Sequence, residues 1–182
     1  MLARMTFALI STLALASTAA PSTDLLFKFD GGIGVTPVSQ VLDLQSNGGS
    51  PDQGEVVENL VRGHFASKQP WRIANLHATV RTDGTIQVQG HGLLLAGGDH
   101  IGTSQAANVR ASLVCGMGAD ANSRFEIFTS FHALTDDGEF SFDEVLPNFT
   151  SLPNPCVEPA LIIWDANTAR WLAASILVKN NQ

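Results

Sequence analysis

The chain has no tyrosine, only two cysteines, and ten lysines and arginines against seventeen aspartates and glutamates in 182 residues. Each shortage excludes something. Without tyrosine, the residue that dominates antibody-like contact surfaces is missing. A net charge of −7 leaves no basic face for nucleic acid, whose binding depends on neutralising phosphates. It equally disfavours electrostatic attachment to anionic membranes. Helix signals are also scarce. The one stretch with helical spacing, Gly54 to Val61, is short and rich in valine, which leaves it ambiguous.

Long apolar runs are absent after the first twenty residues. There the chain reads MLARMTFALISTLALASTAAPS, with a lone positive charge at Arg4, an apolar run from Phe7 to Ala16, and small residues behind it. This is the layout of a secretory signal peptide, with cleavage expected after Ala16 or Ala19. A membrane-spanning helix needs ~20 apolar residues, and this run is shorter and is interrupted by Ser11 and Thr12. The division expected is therefore a signal over 1–19 and a single domain over 20–182. The exported chain, secreted or periplasmic, would not insert into a membrane. Loss of Arg4 makes it one unit more acidic. About 160 residues is one domain's length and enough to bury a full core.

In an exported chain, Cys115 and Cys156 are expected to form one disulfide. It closes a loop of about 40 residues, worth ~3–4 kcal/mol in the chain-entropy model. A nucleophilic cysteine would need a nearby base and a reducing setting.

Short apolar or alternating segments separated by Gly, Pro, Asn and Asp clusters give the all-β pattern. In the clearest of them, Leu76, Ala78 and Val80 share one face, and Ile86 and Val88 share another beyond Asp83-Gly84. A three-residue loop, Thr82-Asp83-Gly84, sets Val80 opposite Ile86 and Ala78 opposite Val88, so the apolar side chains coincide. Gly84 falls where such loops need a left-handed residue. A similar hairpin is expected over Phe131–Phe142, with its turn at Asp136-Asp137-Gly138. Leu25, Phe27 and Phe29 alternate into Gly31-Gly32. Val109, Ala111, Leu113 and Cys115 alternate with Arg110, Ser112 and Val114. The continuous apolar run Pro159–Trp164 reads as a central strand, turned back by Asp165–Thr168 into Arg170–Val178. Gln45 to Gly54 reads as an exposed loop. Eight to ten strands with one disulfide predict a single-domain antiparallel β-sandwich, with a small β-barrel as the alternative.

Chemistry-bearing residues concentrate in Gly90–Gly102, GHGLLLAGGDHIG. Phosphate binding fails there, because no third glycine, no Gly-Lys-Ser/Thr and no helix follow. In the hairpin register His77 and His91 are diagonal neighbours, ~7–8 Å apart. With Asp99 or His100 they could offer Zn²⁺ or Cu²⁺ a ligand set; the simpler reading is two solvated histidines on an open sheet. Asp136 and Asp137 are explained by their turn, and Asp143-Glu144 is expected to be solvated at a strand end. No Gly-x-Ser-x-Gly motif occurs, and no catalytic residues are assigned. Trp71, Trp164 and Trp171 could form a sugar platform if aligned outside, but their apolar settings favour core packing. Asn148-Phe149-Thr150 is a glycosylation acceptor in a eukaryotic host.

The stretch LTDDGEFSFDEVLP, with Thr135, Asp137, Gly138, Phe140, Phe142, Val145 and Pro147, resembles a hairpin of secreted transthyretin-like and carboxypeptidase-regulatory-like β-sandwiches. It covers about 14 of the 182 residues. The Trp71–Gly84 pattern followed by Gly90–Asp99 is similar to that of uncharacterised exported bacterial β-proteins. The resemblance implies a binding or accessory module rather than an activity. The expected function is non-enzymatic binding of another protein or a cell-surface component. The alternatives are a metal-binding protein or metal-dependent enzyme using the two-histidine face, and a carbohydrate-binding module.

Overall fold

The computed structural model describes residues 24–36, 38–40, 55–57, 59–105, 107–116 and 124–178. The signal expected over 1–19 and the Gln45–Gly54 loop lie outside the described residues. Where it is described, the ambiguous Gly54–Val61 stretch is strand, not helix: its valines stay extended in short pairings.

The strands in chain order are β1 (Leu25–Gly34), β2 (Val38–Gln40), β3 (Glu55–Val57), β4 (Leu60–Val61), β5 (His64–Phe65), β6 (Trp71–Arg72), β7 (Asn75–Arg81) and β8 (Thr85–His91). They continue as β9 (Leu94–Leu95), β10 (Asn108–Cys115), β11 (Phe125–Phe128), β12 (His132–Ala133), β13 (Phe140–Val145), β14 (Ala160–Asp165) and β15 (Trp171–Leu177). The protein is all-β, and its main sheet has nine antiparallel strands in the order β11-β10-β14-β15-β1-β7-β8-β13, with β12 also on β10. The sheet curls into a half-barrel, which the barrel-like alternative describes.

Its two ends approach one another at β12 and β13. Thr135 and Glu139 share a backbone bond of 3.1 Å across the turn between them. Further along, side chains replace the ladder. The His132 ring stacks on Phe142 at 4.0 Å, and Glu144 accepts a hydrogen bond from the Ser130 amide at 2.9 Å and faces His132 Nε2 at 3.3 Å. Asp143-Glu144 is therefore not simply solvated: Asp143 accepts from Gln87 Nε2 at 2.7 Å. Burial alone would raise the Glu144 carboxyl's pKa. Hydrogen bonds from Ser130 and His132 outweigh that, and the net shift is downward.

The β7–β8 hairpin has the register that its apolar pattern requires, with Val80 opposite Ile86 and Ala78 opposite Val88. Gly84 sits at φ +86°. Gly90 serves a different purpose. It lies opposite Phe140, and a Cβ there would come within 2.1 Å of that ring. Gly31-Gly32 does not end β1; the register shifts there as a bulge and the strand runs on to Gly34. β14 is central, between β10 and β15, with Leu161 to Trp164 all buried.

The inside of the curl holds Phe29, Leu76, Val80, Ile86, Leu113, Leu161 and Ile163, each fully buried. The β6–β9 pair crosses one end. The loop from Pro147 to Cys156 crosses the other, where Phe149 lies against Gly84 and the Cys115–Cys156 disulfide ties it to β10 with a Cα–Cα distance of 5.1 Å.

The outside is unequal. Alternation on β10 leads one to expect Ser112 and Val114 to face solvent, yet both are fully buried. The cause is a strap, residues 59–67, lying across the outer face of β10, β14 and β15. Side chains hold its backbone from the sheet. Arg124 donates to the Arg62 carbonyl at 2.8 Å, Trp171 Nε1 to that of His64 at 3.1 Å, and Arg170 to that of Ala66 at 2.8 Å.

Candidate functional site

The other half of the outer surface, on β1, β7, β8 and β13, has no such cover among the described residues. Strand alternation sends every second side chain outward. The pairing aligns Lys28 with Thr79, Asp30 with His77, His77 with Gln89, Thr79 with Gln87, Gln89 with Ser141, and Gln87 with Asp143. The result is one polar field across four strands. Two grooves run through it and meet at Gln89. The larger, about 470 Å³, is lined by Gln89, His91, Thr135, Glu139, Phe140 and Ser141. The smaller, about 130 Å³, lies among Lys28, His77, Thr79, Gln87 and Gln89.

Two imidazole–carboxylate pairs flank the point where the grooves meet. His77 Nδ1 stands 2.6 Å from Asp30 Oδ1, and His91 Nδ1 contacts Glu139 Oε2; all four side chains are roughly half exposed. A proton on Nδ1 satisfies each carboxylate. Asp30 lies on β1 and Glu139 just before β13, so the two rings lean to opposite sides of the β7–β8 hairpin.

His77 and His91 are diagonal neighbours, as the register required, and each faces its own carboxylate, Asp30 on β1 and Glu139 just before β13. Asp99 and His100 sit in the exposed turn that follows Gly98. Among the described residues no three of His, Cys, Asp and Glu come together to hold a metal ion, so His77, His91, Asp99 and His100 do not form one ligand set.

The three tryptophans pack in the core, as their apolar settings led one to expect. Trp71, Trp164 and Trp171 are 6%, 4% and 1% exposed. Their indole N–H groups are spent inside, on Ser67 Oγ, Ser112 Oγ and the His64 carbonyl respectively. A buried indole offers no face to a ring. Asn148 precedes a 3₁₀ turn over Phe149–Ser151 and is itself exposed.

Four of the five histidines face a carboxylate: the two above, His132 with Glu144, and His64 with Glu126. Sequence reasoning missed these acids. Finding Glu139 beside His91 needs only the pairing of β8 with β13, and Asp30 beside His77 only that of β1 with β7; strand order supplies both and local alternation supplies neither. No family model, curated protein or solved structure matches the chain.

Proposed function

We propose that the protein is an exported, non-enzymatic binding module, secreted or periplasmic, that docks another protein or a cell-surface component on the polar face of β1, β7, β8 and β13. One observation carries this reading. The sheet's outer surface is covered on one half by its own strap, and on the other half it presents a field of hydrogen-bonding side chains with two grooves meeting at Gln89. Its groups are organised before any partner arrives, because His77, Gln87 and His91 are each held by a carboxylate. Such preorganisation lowers the side-chain entropy lost on binding. Export is supported by the formed disulfide and by the sequence layout of residues 1–19.

The test is binding of the purified protein to surface fractions of the producing cell, with Gln89→Ala/Ser141→Ala beside the wild type. Loss of binding with unchanged circular dichroism supports the assignment. Undiminished binding by the double variant removes this face from consideration.

A further inference from the structure

One end of the main sheet is left unpaired. β13 is its last strand, and among the described residues it pairs only with β8, over six consecutive residue pairs with no shift of register. Along an antiparallel strand the hydrogen-bonding groups alternate, every second residue turning to the same neighbour. The Leu146 amide donates to the Gly84 carbonyl, whereas the Glu139 carbonyl, of the opposite parity, accepts from Thr135. The even-numbered residues of β13 therefore face β8. The N–H and C=O groups of Ser141, Asp143 and Val145 point off the edge.

The strand that would meet them turns aside. Thr135 and Glu139 start a ladder at 3.1 Å, and its next rung would join Ala133 to Ser141. Instead β12 stays on β10, where the Leu134 amide donates to Ala107 at 3.0 Å. The larger groove, about 470 Å³, opens in between, with Ala133 and Thr135 on one side and Phe140 and Ser141 on the other. Farther along, side chains make the crossing: Glu144 reaches the Ser130 amide, and His132 stacks on Phe142.

We propose that this edge takes an extended, basic segment of a partner protein as an added strand, which rests on the docking surface described above and names what docks there. Two observations select that occupant. Unpaired edges recruit strands, and sheets that avoid this carry lysine, proline or a bulge at the edge; β13, FSFDEV, has none of the three. Charge selects the kind of segment. Residues 129–146 hold five acids, Asp136, Asp137, Glu139, Asp143 and Glu144, and no lysine or arginine. A second copy of β13 would set like charges opposite one another, which is destabilising. Lysine and arginine complement the edge, and β-branched residues between them favour the extended form.

The probe is a capped peptide of alternating lysine and valine, about eight residues long to span the edge. Residue-resolved hydrogen exchange is followed by NMR as it is added. The expected result is exchange slowed about tenfold at Ser141, Asp143 and Val145 when nine sites in ten are filled, with little change at Phe142 and Glu144, whose amides already face β8. A glutamate–valine peptide gives no protection. Val145→Pro removes one edge donor at a position where proline is compatible with the β8 ladder; it weakens peptide binding about tenfold, and Val145→Thr, which restores the N–H, recovers it. Should Val145→Pro not fold, the wild-type exchange pattern decides alone. No protection by the lysine–valine peptide overturns the added strand, as does equal binding by Val145→Pro. Protection on β7 and β8 without the three edge amides also overturns it and leaves the docking surface standing. Surface fractions of the producing cell separate the two readings in the same way. Retention of Val145→Pro where Gln89→Ala/Ser141→Ala is lost keeps the face and overturns the strand, and retention of both variants removes both. Binding that survives exhaustive protease treatment of the fraction marks a glycan and overturns the strand.

Discussion

At Gly90 the requirement for a missing side chain is absolute in a way that composition hides. The Phe140 ring occupies the space a Cβ would take, at 2.1 Å, so Gly90→Ala must push the ring or separate β8 from β13. Overpacking of this kind costs ~1–3 kcal/mol, and a urea denaturation midpoint lowered accordingly is the expected outcome. Trp164 is constrained through its one polar atom. Replacement by phenylalanine keeps a ring but leaves the fully buried Ser112 hydroxyl without the donor now 2.8 Å away, a loss of ~1–3 kcal/mol that Ser112→Ala in the same chain should partly relieve. Glu144 gives a pH signature. Its lowered folded value means that its contribution is complete above the ordinary glutamate value of 4.5 and is lost as pH falls through the depressed one. Stability measured against pH should therefore lose part of its acid slope in Glu144→Gln.

Among the elements, the β7–β8 hairpin was the most legible in the sequence. The similar hairpin expected over Phe131–Phe142 does not form a ladder, because β12 pairs with β10 and β13 with β8. The β7–β8 register followed from requiring Ala78 and Val80 to meet Val88 and Ile86, because a two-residue loop would have mixed the faces; local pattern and tertiary structure asked for the same pairing. Cys115 and Cys156 could pair in only one way. What stayed hidden needed strand order: the carboxylates opposite His77 and His91, the bulge that carries β1 past Gly31-Gly32, and the burial of Ser112 and Val114. Nothing in a strand's own alternation announces that a distant strap will cover its polar side. The loop Pro147–Cys156 is a further case. It is proline-rich and tied down by Cys156, and it caps one end of the half-barrel through Phe149 and the disulfide. Replacing both cysteines with alanine should cost about 3–4 kcal/mol by loop entropy, read as a fall in unfolding free energy with the far-UV spectrum unchanged.

The whole molecule is best understood as one curled sheet with two unlike outer surfaces. One holds the buried indoles and the Arg110, Arg124 and Arg170 side chains beneath or beside the strap. The other is the open field of Asp30, His77, Gln87, Gln89, His91, Ser141 and Asp143. A polar, half-solvated sheet face is ordinary in antiparallel proteins; the docking proposal rests on its two grooves and its carboxylate-held histidines. Hydrogen–deuterium exchange of the wild-type protein, with and without the surface fraction of the producing cell that it retains best, is the most direct measurement of that claim. The account predicts slowed exchange in β8 and β13, around Gln89 and Ser141, with the strap unaffected at neutral pH. Protection confined to the strap or to the Pro147–Cys156 loop would contradict it.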